Sequence, residues 1–302
     1  MNVLNNLDDI ATIIVTYNPK INNLNLLINA LLSQGLNIFI IDNNSVEDIN
    51  SISSEFRNKK LQVYTANSNL GIAAAQNIGL KLAFNKGFKS IFLLDQDSQI
   101  TNNFSVKLTE VFNDPLVNIV APVYYDVIKG YEYPLVDILP SGRRKKYLPK
   151  NLSTPIDISV AISSGMLIRR SVFDKVGMFD EGLFIDYVDT EWCLRCASHD
   201  ISIRIHPSAV MNHSIGEKSL TLLGFRVPVH SPVRRYYRIR NAFHLLRMKH
   251  VPKLMAFREL LFGLIHQLIL IALQTDRKDY LIYYLKAVRD GIAGKYGQLK
   301  TK

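Results

Sequence analysis

The sequence predicts an α/β fold, with a mostly parallel central sheet covered by helices on both faces and a helical C-terminal region after it. Two observations lead there. In the first hundred residues, short apolar, β-branched runs alternate with stretches of helical periodicity, and strands separated by helices pair in parallel and are covered on both sides. From Val233 onward three helical patterns follow one another, broken near Pro252 and Thr275. At 302 residues, 48% hydrophobic and 21% charged, the chain has enough apolar material for a sizeable core.

Taken in order, "ATIIVTY", "LNIFIID", "LQVYTA" and "SIFLLD" are the expected strands, with helices over about 22–34 and 72–86. In such a sheet, ligands collect beyond the carboxyl ends of the strands. Polar side chains cluster at those ends: Thr16, Tyr17 and Asn18 after the first, Asp42 to Ser45 after the second, Asn67 and Asn69 after the third, Asp95 and Asp97 after the fourth. Residues 124–155, irregular and rich in Tyr, Pro, Lys and Arg, read as a long loop over this rim. "ISVAISSGMLIRR" reads as a further strand, followed by a helix from Ser171 to near Gly177, a helix from Asp189 to His199, and extended chain in "ISIRIHPSAVMNH". The expected division is an α/β unit over 1–225, in halves of about 1–100 and 101–225, and a basic helical region over 226–302.

The net charge of +10 is uneven: from Arg226 to Lys302 sixteen basic residues face four acidic ones, whereas the first 225 residues sum to −2. A basic region of this kind implies an anionic partner. Nucleic acid is disfavoured, because the basic residues are mixed into long aliphatic helices and no known binding module is present. A membrane surface and a homodimer contact would bury the same apolar stripes, and both stay open. The run "LLFGLIHQLILIAL", 14 residues with His266 and Gln267 inside it, is too short to span a bilayer. Cys193 and Cys196 lie within a helical pattern with no other ligands nearby in sequence, so packing is expected of them rather than zinc or redox chemistry. Few cysteines and no signal-peptide pattern point to a cytoplasmic chain, peripheral at the inner face of the membrane if it binds there.

In "SIFLLDQDSQI", Asp95 and Asp97 stand two residues apart at the end of an apolar strand, where they can point to the same side. Left bare they would repel. A hard cation, Mg²⁺ or Mn²⁺, relieves that conflict and takes substrate phosphates as its other ligands, while a solvated turn is the bland alternative. Gly71 and the small Ala73 to Ala75 let a helix start close to a phosphate or to the sheet, and both readings remain. Neither GxxxxGK[ST] nor GxGxxG is present, which disfavours a nicotinamide oxidoreductase. Asp189, followed by Glu191 and Trp192 at a helix start, is either a proton acceptor kept ionised by the helix dipole or a plain N-cap. "HSPVRRYYRIRN" sets Arg234, Arg235, Arg238 and Arg240 around Tyr236 and Tyr237, as a diphosphate clamp or as a face toward solvent or lipid.

"TIIVTYN", "IIDNNS", "NLGIAAAQNIGL", "FLLDQDS" and "DEGLFIDYVDTEWCLRC", in this order, resemble inverting family-2 glycosyltransferases with the GT-A fold, above all bacterial rhamnosyltransferases using dTDP-L-rhamnose. The resemblance covers about Ile10 to Asn241. It implies a nucleotide-sugar half and an acceptor half within 1–225. It gives Thr16 and Tyr17, with Asn18 beside them, and Asp42 to the base and ribose, and Asn69, Gly71 and Asn77 to a segment along the nucleotide. Asp95 and Asp97 match the DXD element, the first towards ribose or diphosphate and the second towards the metal, with His213 as a third ligand or phosphate contact. Arg234 and Arg235 fall in a basic element near the active site. Asp189 matches the catalytic base, but Val188 replaces the acid that usually precedes it, which leaves Asp186 as the alternative base and Glu191 as a group orienting acceptor or base. The implied acceptor is a surface-glycan saccharide carried on a polyprenyl lipid. A UDP-sugar donor, and a non-catalytic membrane-associated scaffold that binds nucleotide sugars, are the alternatives.

Overall fold

Strand residues alternate between two cores, which is why the runs read as apolar throughout. In β1 (Ile10–Thr16), Ile13 and Val15 face one core and Ile10 and Ile14 the other; β2 (Asn37–Asp42) divides Phe39 and Ile41 from Ile38 and Ile40 in the same way. The computed structural model describes residues 7–126, 130–212, 219–222 and 225–300. Helix α1 (Ile21–Ser33) covers one face and α3 (Ile72–Asn85) the other; between them lie α2 (Asn50–Phe56) and β3 (Leu61–Thr65), and β4 (Ser90–Asp95) follows. Four strands, β3–β2–β1–β4, pair in parallel with their carboxyl ends on one rim.

Beyond β4 the sheet becomes mixed. After the short β5 (Gln99–Ile100), α4 (Phe104–Phe112) and β6 (Ile119–Asp126), the chain makes β7 (Tyr131–Glu132), which pairs with β6. Where a loop was expected over 124–155, β8 (Leu135–Ile138) and β9 (Arg144–Tyr147) form a separate hairpin. The expected strand at "ISVAISSGMLIRR" is two, β10 (Ile156–Ile158) and β11 (Leu167–Arg169), because Ser163 to Gly165 cross the sheet end between them. β11 inserts antiparallel between β4 and β6, β12 (Ile203–Asn212) runs parallel to β6, and β10 closes the edge antiparallel to β12.

Helices α5 (Arg170–Val176) and α6 (Val188–Ala197) carry Val172, Phe173, Trp192 and Cys193 into the same core as α3. Both thiols are buried; burial, the largest cause, raises Cys196 to about 12, so neither is a reactive thiolate. A ribbon of β13 (Ser219–Leu222) and β14 (Phe225–Pro228) leads into α7 (Pro232–Arg247), α8 (Lys253–Leu273) and α9 (Arg277–Ile292), which pack on one another. α7 starts at Pro232, one residue before the Val233 from which a helical pattern is expected: Ser231 caps the Arg234 amide at 3.3 Å and Pro232 takes the first turn.

Candidate active site

The rim at the ends of β1 and β4 opens into a cleft of about 1130 Å³. Asp95 ends β4, and its carbonyl accepts the Ser98 amide at 3.1 Å, so Asp97 falls inside a tight turn and is exposed. The Asp95 amide donates to Ser164 Oγ at 2.9 Å, which fixes the strand end against the crossing of residues 163–165. Gln96 ties this turn to β1, accepting the Tyr17 amide at 2.7 Å. Asp95, Asp97 and Tyr17 all line the cleft.

Asn43, Asn69 and Gly71 form the next stretch of wall. Asn43 donates to Asn69 Oδ1 at 3.1 Å and accepts the Leu70 amide at 2.8 Å, while Asn69 Oδ1 accepts the Gly71 amide at 3.0 Å. Gly71 has φ of +84°, and a Cβ there would sit 2.5 Å from the carbonyl oxygen of Phe184. Only glycine lets the start of α3 lie against this neighbour.

Phe184 begins the adjoining stretch of wall, a segment with three non-glycine residues at positive φ: Phe184, Asp186 and Tyr187. Such a backbone persists only when its surroundings hold it. Asn241 on α7 does so, donating to the carbonyls of Leu183, Ile185 and Asp186 at 2.9, 2.8 and 3.1 Å. Arg240 joins Gly182 and Leu183, both at 3.1 Å, and also reaches Gly297 O; Gly297 N returns to Gly182 O at 2.7 Å.

α6 begins at Val188 and its cap position is Tyr187, in a left-handed conformation, so Asp189 lies inside the first turn instead of capping it. Its Oδ1 accepts the Thr190 amide at 2.8 Å. Burial raises the Asp189 carboxyl above the ordinary range, the Thr190 and Ser163 amides lower it in part, and the charge of Asp186 raises it further. Asp189 lines the same cleft as Asp95 and Asp97. Tyr124, buried beneath with its hydroxyl donating to Ile162 O and Ser164 O, senses both sides. Its phenol is held well above its usual value first by burial, then by the negative charges of Asp189 and Asp95.

Asp186 also faces the cleft, but its oxygens are engaged by Arg234 at 3.4 Å and Arg238 at 3.8 Å. Glu259 of α8 takes Tyr187 Oη at 2.9 Å, Arg238 at 3.8 Å and Arg144 of the β8–β9 hairpin. The C-terminal helices therefore build one wall of the cleft.

Two strand-end acids and a half-buried acid on a helix's first turn thus line one cavity. The glycosyl transferase family 2 profile matches residues 11–177. The chain belongs to that family. The transferase is 43% identical over 289 residues to the dTDP-rhamnosyl transferase RfbF of Shigella flexneri, covering 96% of this chain and 97% of that one. It is also similar, at 24% identity over 208 residues, to the hexosyltransferase Agl10 of low-salt glycan biosynthesis in Haloferax volcanii, covering 65% and 64% of the two chains. Two solved structures share the fold: S. aureus TarS 1-349 in complex with UDP-GlcNAc, with a TM-score of 0.60 at 16% identity over 95% of this chain and 81% of that one, and GalNAc-T7 with UDP, GalNAc and Mn²⁺, with a TM-score of 0.59 at 17% identity over 83% and 54%.

Several residues expected at the site do not line the cleft. Thr16 and Asp42 are buried behind the rim, joined at 2.8 Å, and Asp42 also accepts the Ser45 amide at 2.9 Å, so they shape the wall without lining it. Asn18 lies outside the cleft, its amide donating to Ser45 Oγ at 2.8 Å. Asn77 points into the protein, donating to Phe179 O and Glu181 Oε1, both at 2.9 Å, and accepting the Phe179 amide. Arg235 is fully buried on the far side of α7, donating to Gln267 at 2.9 Å and Gly263 O at 2.7 Å; helical phase leaves Arg234 and Arg238 toward the cleft instead. Glu191 is buried away from the cleft, bonded twice to Arg195 at 2.8 and 2.9 Å with His250 at 2.7 Å; burial would raise its pKa, but these two partners hold it below the ordinary value. His213 lies outside the described residues. Reading the residues one by one missed Asn241 and Glu259. The signal for Glu259 was there, a lone acid in a strongly basic stretch.

Proposed function

We propose that this glycosyltransferase moves L-rhamnose from dTDP-L-rhamnose to a hydroxyl of a saccharide acceptor, inverting the anomeric configuration. The observation that carries the reading is the single cleft joining Asp95 and Asp97 to Asp189. Similarity to RfbF over nearly the whole of both chains supports the donor. The acceptor is read as a surface-glycan saccharide on a polyprenyl lipid, met at the inner face of the membrane.

Asp95 and Asp97 offer hard oxygen ligands on one turn, and among the described residues no third His, Cys, Asp or Glu joins them. That donor set fits a divalent cation whose other ligands are diphosphate oxygens and water. Mg²⁺ or Mn²⁺ bound there would neutralise charge that builds on the departing nucleotide. Tyr17, Asn43 and Asn69 would hold the nucleotide along the rim. Across the cleft, Asp189 would take the proton from the acceptor hydroxyl as it attacks the anomeric carbon from the face opposite the leaving group. Its raised pKa makes it a stronger base than an ordinary carboxylate, and Arg238, beside Asp186 and Glu259, keeps the surrounding acids balanced.

A thermal-shift panel of dTDP, UDP, GDP and CMP, each with and without Mn²⁺, tests the donor, because a ligand that binds only the folded state raises its stability. dTDP with Mn²⁺ should give the largest shift, and chelation should stop turnover of dTDP-L-rhamnose until Mg²⁺ or Mn²⁺ is restored. A larger shift with UDP would move the donor to a UDP-sugar. Turnover that survives chelation would remove the cation.

A further inference from the structure

α8 has two faces of different character. Met255 and Glu259 line the cleft, while Gln267 and Leu270 are buried against α7 and α9. The other side carries Leu254, Phe257, Leu261, Phe262, Ile265 and Leu268, each between 44% and 61% exposed. At 3.6 residues per turn these six occupy one arc of about 140°, opposite the packed face. On α9, Leu281, Ile282 and Leu285 are exposed as well. By length and composition α8 could cross a membrane. Its packed side rules out spanning: Gln267 accepts from Arg235 and donates to Tyr280 O at 2.8 Å, and Arg235 holds Gly263 O, so a polar network and an open cleft would lie in hydrocarbon.

We infer that the outer face of α8, with α9 beside it, is a docking surface for an anionic lipid bilayer, lying in the interface with its apolar arc among the acyl chains. Charge decides for lipid over a second copy of the chain. The region from Arg226 onward carries an excess of twelve basic residues. Two of its four acids are used internally, Glu259 with Arg144 and Asp290 with Lys295 at 3.0 Å. Lys249 and Lys253 before and at the start of α8, and Arg277 and Lys278 at the start of α9 beside Asp276 and Asp279, are exposed at or near the helix ends, where they reach headgroups. Two copies meeting through this face would bring these positive charges together; an anionic surface neutralises them. Because α8 also forms the cleft wall through Glu259, docking sets the acceptor side beside the membrane, which deepens the lipid-linked acceptor reading above and rests on it only for that consequence.

The test is flotation with vesicles of phosphatidylcholine and phosphatidylglycerol, against phosphatidylcholine alone. The chain should float with the anionic vesicles and less so at high salt. The triple variant Leu261→Glu, Ile265→Glu, Leu268→Glu should lower the bound fraction about tenfold or more. Light scattering follows the oligomeric state, and turnover on a water-soluble saccharide acceptor reports donor chemistry separately, so failure of the docking surface and failure of the donor reading are told apart. Should the triple variant not fold, a Phe262→Trp reporter replaces it: Trp192, the native tryptophan, is buried, and emission from position 262 should shift to the blue on anionic vesicles. Wild-type protein left at the bottom of the gradient, a variant that floats equally well, or an unshifted reporter overturns the inference. So does a dimer that the triple variant splits while neither form binds vesicles, an outcome that gives the face to a second copy.

Discussion

Asp189→Asn is expected to lower kcat by about 10²–10⁴-fold while leaving nucleoside-diphosphate binding intact. The amide matches the carboxylate in shape and keeps the contact with the Thr190 amide, yet cannot accept the acceptor's proton. The pH profile should carry the same signature. Burial, the largest cause, raises this carboxyl, so the acid limb of kcat/KM should lie above the ordinary carboxylate range. The sign for stability runs the other way. A carboxyl whose folded-state pKa is raised favours folding in its protonated form, and that contribution, full below the unfolded pKa, is lost as pH rises through the folded one. At neutral pH the ionised Asp189 therefore weakens the fold, and the Asn variant should melt at the same temperature or higher. Retained turnover in the variant would move the base to Asp186.

Gly71→Ala should destabilise the protein by about 2–4 kcal/mol, from a left-handed backbone and a forced contact together. The new methyl would meet the Phe184 carbonyl at 2.5 Å and its ring at 2.6 Å. The Ile72 amide already donates to that carbonyl at 2.8 Å, so the strain passes directly into the segment that ends at Asp189. Denaturant midpoint and turnover should fall together. An unchanged midpoint would mean that this wall yields freely.

Donor-side architecture was legible in the sequence because its rules are local. Runs such as "TIIVTY" and "FIID" fill both faces of a strand, and their ends coincide with polar clusters. β5, β7 and the β8–β9 hairpin, two to four residues per strand, have no periodicity to read. Of the residues that line the cleft, Asp95, Asp97 and Asp189 are legible from position alone, at a strand end and a helix start. Asn77 and Glu191 sit in equally suggestive places but satisfy buried backbone and an arginine, a duty that residue type does not reveal. Arg235 and Arg238 differ only in helical phase, and the partner that settles it, Gln267, comes from α8. Asn241 escaped notice because its role depends on three carbonyls of a distant, strained segment.

That segment's fastening bears on how the cleft keeps its form. Its carbonyls are held by side chains 55 to 58 residues further along, and by Gly297 beyond those. Closing spans of this length costs chain freedom. The nucleotide rim is tied over spans at least as long, Tyr17 to Gln96 across 79 residues and Asp95 to Ser164 across 69. Both walls are therefore fastened by distant chain, and the strained one keeps its tense shape only while α7 and the residues after α9 stay docked against it.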